Sequence, residues 1–213
     1  MATGGVLKRA RKIIFSGESF IAHMYLDSVC KVTIGYGTML PSAKAAEKIA
    51  LADSQGTNAK ADEKAKEWDR VAALAPKGGK QNNKASSFAR DAVLFIAEAE
   101  AARLAEAHIA GLVPELKGTF PGFAKFPEDA QVALLDLAYN LGAAGLKKFK
   151  KLVTAVNDPK GPDWTSAAHE SNRPQLSKER NKEVRELFLA AAKQAKKTPA
   201  DKKQRANPHL VRP

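Results

Sequence analysis

The chain has 213 residues, with 35 Lys or Arg against 23 Asp or Glu and a net charge of +12. That length suits one ordinary domain, or one domain with a large insert, and 44% hydrophobic residues exclude wholesale disorder. The charge favours polyanionic partners; the single Cys30 excludes an intramolecular disulfide framework, and four histidines without metal spacing predict no zinc site.

Val6 to Phe15 reads as a short basic helix with Val6, Leu7, Ala10, Ile13 and Ile14 on one side, stopped at Gly17. The apolar triplet Ile13-Ile14-Phe15 behind the basic patch is too short for a signal-peptide core. The best apolar run, Ala92 to Ala97, is only six residues and too short to span a bilayer. The chain is therefore expected to be made in the cytoplasm and to need release or delivery to act elsewhere. Phe20–Asp27 and Val32–Tyr36, rich in β-branched and aromatic residues, predict a hairpin, with Gly35 and Gly37 marking close approach or positive φ.

Helical patterning follows: Ala43–Ala52, an amphipathic Ala61–Ala75 with Trp68, and a long Ala-rich helix from a Ser86 or Ser87 cap to about Ala110. Pro76 to Lys84 reads as a flexible loop, and Gly118 to Phe126 as a connector. Glu128–Leu141 is strongly apolar and is the candidate central buried helix, with Gly142 just past its end. Leu146–Val156, Asp163–Ser171 and a last helix from a Ser177 cap to about Lys196 complete the body. The expected class is α+β, mostly α.

Glu18 falls at the end of the first helix, Asp27 at the end of the first strand and Thr33 on the second. Glycoside hydrolysis needs two carboxyl groups flanking one bond, one protonated and one ionised. A carboxyl facing the negative end of a helix macrodipole suits the acid role, which points to Glu18. Asp27, beside a polar turn, suits the base, and the Thr33 hydroxyl could hold a water. Among 23 acids a Glu and an Asp nine apart carry little alone.

The wider string carries more. Glu18, then Tyr25, Asp27 and Thr33-Ile34-Gly35-Tyr36-Gly37, closely resembles the catalytic segment of the phage-type lysozymes, glycoside hydrolase family twenty-four. Leu134–Phe149 looks like that family's buried helix, with Asn140 and Gly142, and Ser177–Phe188 like the helix that brings an Arg, here Arg180, to the catalytic Glu. The resemblance covers roughly residues 5–52 and 86–190.

It implies a lysozyme-like fold with a small hairpin lobe and a helical lobe. The implied activity is a muramidase that cuts the β-1,4 bond between N-acetylmuramic acid and N-acetylglucosamine in peptidoglycan. Glu18 would be the acid, Asp27 would position or activate water, and Thr33 would assist. Tyr25, Gly35, Tyr36, Asn140 and Arg180 are the implied substrate-binding set, and no cofactor or metal is implied. The family is usually inverting, which sets the carboxyls further apart than in a retaining enzyme.

Ser19 stands where the family usually has Gly, and Thr38 where a His is common. The catalytic domain is then residues 1–190, with 53–85 an insertion and 191–213 a basic flexible tail. From Arg173 onward there are twelve Lys or Arg against four acids, so this part carries +8 of the +12. The charge reads as attraction to anionic peptidoglycan, teichoic acid or lipopolysaccharide.

The partners expected are peptidoglycan glycan strands, with an immunity protein or secretion apparatus if the chain is an interbacterial toxin rather than a phage endolysin. The site of action is the periplasm or cell wall, and the chain is expected to be a monomer. The competing readings are a nucleic-acid-binding protein that uses +12 for phosphate contacts, and a lysozyme-like protein that binds glycan without cutting it. The basic tail lacks interleaved aromatics and the chain shows no nucleic-acid motif, which disfavours the first. Glu18, Asp27 and Thr33 together disfavour the second.

Overall fold

The computed structural model describes residues 3–205, with side chains described as far as residue 196. It is α+β and mostly α, with eight helices and one small antiparallel sheet among the described residues. None of these helices is long and apolar enough to cross a membrane. The chain divides into two compact units: residues 15–107, and the residues up to Ile14 together with those from His108 onward.

The 15–107 unit holds strands β1 (Ile21–Leu26), β2 (Val32–Gly35) and β3 (Thr38–Met39) in the order β1-β2-β3. Tyr25 faces Thr33 and Leu26 faces Val32, and a bulge interrupts the register between Ile21 and Tyr25. β3 was not expected; it adds a short edge through Thr33–Met39 and Ile34–Thr38 pairing.

Helix α2 stops at Ala46 (Ala43–Ala46) rather than running to Ala52. Beyond it Leu51 and Ala52 are drawn into extended pairing, with Ala59 N–H on Leu51 O, Ala52 N–H on Phe95 O and Phe95 N–H on Ala52 O. The same contacts correct the Ala-rich helix. Residues 85–88 form only a 3-10 turn, Ile96 N–H bonds Ala22 O beside β1, and helix α4 (Glu98–Thr119) starts ten residues later than predicted.

The stretch expected as an insertion is packed into this unit. Helix α3 (Ala61–Ala72) lies against α2, β1 and β2, with Val71 fully buried. Its Trp68 indole donates to Leu40 O at 2.9 Å, and its Lys64 ammonium donates to Ile49 O, in the turn after α2, at 2.8 Å.

The second unit is built on helix α5 (Glu128–Leu146). Every residue from Asp129 to Ala138 is buried, as its apolar sequence predicts. Gly142, with φ 67° and ψ 163°, breaks the helical backbone there, and the turn resumes to Leu146. Helix α1 (Gly4–Gly17) buries Val6, Ala10 and Ile14.

Helix α6 (Lys150–Val156) packs on α7 (Trp164–Glu170), which packs on α8 (Lys178–Arg205). Asp163 caps α7 by accepting from Thr165 N–H and Ser166 N–H, and Trp164 is core, between Phe126 and Phe188. Ser177 Oγ accepts from Arg180 N–H, as the cap reading expects. α8 does not end near Lys196: Ala190, Ala191, Ala192 and Ala195 are strong helix formers, and the helix runs to Arg205. The expected tail thus begins as helix, and its residues 206–213 lie outside the described residues.

Candidate active site

Glu18, Asp27 and Thr33 all lie in the 15–107 unit, with Tyr25, Gly35 and Tyr36. Glu18 is half-buried and stands one residue past the end of α1. Gly37, at φ 83°, keeps the space beside it open, since a β-carbon there would sit 4.0 Å from Glu18 Oε2.

Asp27 begins the β1–β2 turn. Its Oδ1 accepts from Val29 N–H at 2.9 Å and Lys31 N–H at 2.8 Å, so the carboxylate is fixed by backbone on one oxygen. Oδ2 carries no protein hydrogen bond among the described residues. The turn closes through Cys30 N–H to Asp27 O, with Cys30 itself at φ 60°. That is a tight turn closed by a left-handed residue, as in common three-residue hairpin loops. Gln81, from the loop expected to be flexible, donates its side-chain amide to both Leu26 O and Asp27 O, and its own N–H bonds Ser28 O.

Tyr25 responds to the charge of both acids. Its hydroxyl is pushed up to about 12 by burial, then by the Glu18 charge, then by the Asp27 charge. Both carboxylates thus act in the same direction on one phenol, which stays neutral and able to donate a hydrogen bond. Thr33 sits directly across the sheet from Tyr25 and is buried. Its Oγ1 donates to Lys31 O at 3.0 Å, so its proton is committed and only its lone pairs remain for a water.

Gly35 and Tyr36 serve the frame. Gly35, at φ 67°, is pressed against α4: a β-carbon there would lie 2.8 Å from Ala101 Cβ. Tyr36 is buried, stacked on Phe15 at 4.1 Å and tilted against Phe20, and its hydroxyl donates to Glu98 Oε1 at 2.6 Å. Tyr36 is thus a packing residue, while the half-buried Tyr25 keeps an accessible surface. His23, between the two acids in sequence, is held by Ala85 O at 2.9 Å and is buried.

Arg180 and Asn140 belong to the other unit. Arg180 is buried, and its Nη2 lies 3.0 Å from Asp136 Oδ1. The fully buried Arg173 reaches Asp136 Oδ2 at 2.8 Å. One carboxylate with no solvent exposure thus holds two guanidinium groups. Asn140 is half-buried, and its Oδ1 accepts no hydrogen bond among the described residues.

Sequence reasoning missed Gln81, Glu98 and Asp136. Asp136 had a signal: an acid inside an apolar helix must be paired, so buried cations were to be expected. Gln81 had none. No group of three or more His, Cys, Asp or Glu that could hold a metal ion occurs among the described residues. No protein-family model matches the sequence, and no curated protein matches it.

Proposed function

We propose that the chain is a peptidoglycan muramidase whose chemistry is carried by Glu18 and Asp27, with lysis of a bacterial cell as the outcome. The observation that carries this is that Glu18, Asp27 and Thr33 share one unit with Tyr25, which pairs with Thr33 across the sheet and whose hydroxyl both carboxylates push up. Glu18 gives its proton to the glycosidic oxygen as the bond to the sugar breaks, and the proton leaves with the departing sugar's hydroxyl. Asp27 is the base, steadied at Oδ1 by two backbone N–H groups. Its Oδ2 takes the proton of the attacking water, with the Thr33 oxygen accepting the water's other hydrogen. Tyr25 donates a neutral hydrogen bond to one of the acids or to sugar.

The resemblance to the phage-type lysozymes supports the same reading from the sequence. The test is digestion of purified peptidoglycan by wild type, Glu18→Gln and Asp27→Asn, with mass analysis of the fragments. Muropeptides with reducing muramic acid ends from wild type, and a loss of at least about a hundredfold in each variant, are expected. Anhydro ends would instead mark a lytic transglycosylase. No release by folded wild type would refute the enzyme reading and favour glycan binding alone.

A further inference from the structure

A cavity of about 460 Å³ opens between α7 and the first turns of α8, well apart in the sequence from the proposed catalytic residues. His169, Asn172, Lys178, Lys182 and Arg185 line it, and Asn181 forms part of its wall. Its lining contains no Asp or Glu. Lys182 shares its charge with Glu186 at 3.8 Å, whereas Lys178 and Arg185 make no ion pair among the described residues.

The wall is built in advance of any ligand. Loop residues 171–177 are tied to α8 by Asn181, whose Oδ1 accepts from Arg173 N–H at 2.8 Å and whose Nδ2 donates to Arg173 O at 2.9 Å. The Arg173 side chain anchors the same loop to Asp136. Ser171 Oγ closes onto Ala168 O at 3.0 Å. A cavity held this way loses little ordering entropy on binding.

The charge continues beyond it. Lys178, Lys182, Arg185, Lys193 and Lys196 are all exposed. At helical spacing they fall within about an 80° arc and run about 27 Å along the axis. Glu179, Glu183 and Glu186 fall to one side of that arc.

We propose that this cavity and the basic face of α8 bind a phosphodiester-linked polyol chain, the chemistry of anionic cell-wall polymers, with a phosphate seated among Lys178, Lys182 and Arg185. Three cations match the several acceptor oxygens of a phosphate better than the two of a carboxylate, and Arg185 supplies a fork. Asn172 and His169 remain for the polyol hydroxyls. The lining has no Trp, Tyr or Phe, so nothing there would stack on a nucleic-acid base. The phosphate chemistry stands on the cavity alone; its cell-wall source rests on the muramidase reading.

The experiment is a binding titration of full-length Glu18→Gln protein with poly(glycerol phosphate), at several salt concentrations, by calorimetry. Adding Lys178→Ala with Arg185→Ala should weaken binding about tenfold or more and lower the log–log salt slope by about 1.5. Lys66→Ala, an exposed lysine of the other unit, should change neither. Thermal melting establishes that each variant is folded. Absent binding, or equal affinity in all three proteins, overturns the proposal. Equal or tighter binding of single-stranded DNA through the same two residues also overturns it, in favour of nucleic acid.

Digestion of polymer-free peptidoglycan by chains with Glu18 intact separates the two readings. If muropeptides are released but poly(glycerol phosphate) is not bound, this inference alone fails. If binding holds and no muropeptide is released, the phosphate site stands and its wall source falls.

Discussion

Gly35→Ala tests whether the end of β2 is held by contact with α4. The backbone at Gly35 has φ 67°, a region that costs an ordinary residue about 1–2 kcal/mol. The new methyl would also lie 2.8 Å from Ala101 Cβ and 3.5 Å from Ala101 Cα. Ala101 is fully buried and has no flexible end to swing aside, so overpacking adds about 1–3 kcal/mol. A more restricted unfolded chain returns about 0.4–1 kcal/mol. The net expectation is a loss of about 3 kcal/mol from the 15–107 unit, read by urea denaturation.

Trp68 reports on that unit once Trp164→Phe silences the other tryptophan. Ala101→Gly added to Gly35→Ala should recover the overpacking part, a coupling of about 1–3 kcal/mol in the double-mutant cycle. A single-variant cost below about 0.5 kcal/mol, or no coupling, would refute the close-approach account.

Other outcomes follow from the same structure. Tyr25 is pushed up to about 12 by burial and the two carboxylates. Its contribution is therefore complete below pH 10 and is lost as pH rises from 10 towards 12, about 2 kcal/mol in all. Between pH 9 and 11.5 the urea midpoint of wild type should fall relative to that of Tyr25→Phe, and ultraviolet titration should show one late-ionising phenol fewer in the variant. Asp136→Asn leaves Arg173 and Arg180 without their buried carboxylate and should cost about 3–5 kcal/mol by chemical denaturation. Gln81→Ala frees two carbonyls of the β1–β2 hairpin and should cost about 1–2 kcal/mol; on the proposed function, peptidoglycan turnover should fall by more than the loss of folded protein explains. Cys30→Asn puts a residue tolerant of φ 60° at the hairpin turn and should raise the melting temperature by a few degrees.

What was legible was local. The hairpin followed from its β-branched residues and glycines, and α5 from its apolar residues, of which Val132, Leu134, Leu135, Leu137 and Ala138 are buried. What was not legible depended on partners far along the chain. Residues 92–97 have alanines that suggest helix, yet Phe95 pairs with Ala52 and Ile96 with Ala22. A short apolar run with valine, phenylalanine and isoleucine is as consistent with a buried strand, and only the distant pairing decides. β3 is two residues long, too short to leave a pattern. At the site, the positions of Glu18 and Asp27 could be read from the string around them. The Gln81 clamp could not, because one polar residue in a polar loop has no periodicity to mark it.

The unit built on α5 is assembled from both ends of the chain, with residues 15–107 lying between its two pieces in sequence. On a ribosome the 15–107 segment emerges whole and can bury its own apolar surface while synthesis continues. Val6, Ala10 and Ile14 must wait for α5 and the helices after it before their unit is complete. Residues made before that segment thus find their place after it, and until then the nascent chain carries the apolar side of α1, with Val6, Ala10 and Ile14, uncovered.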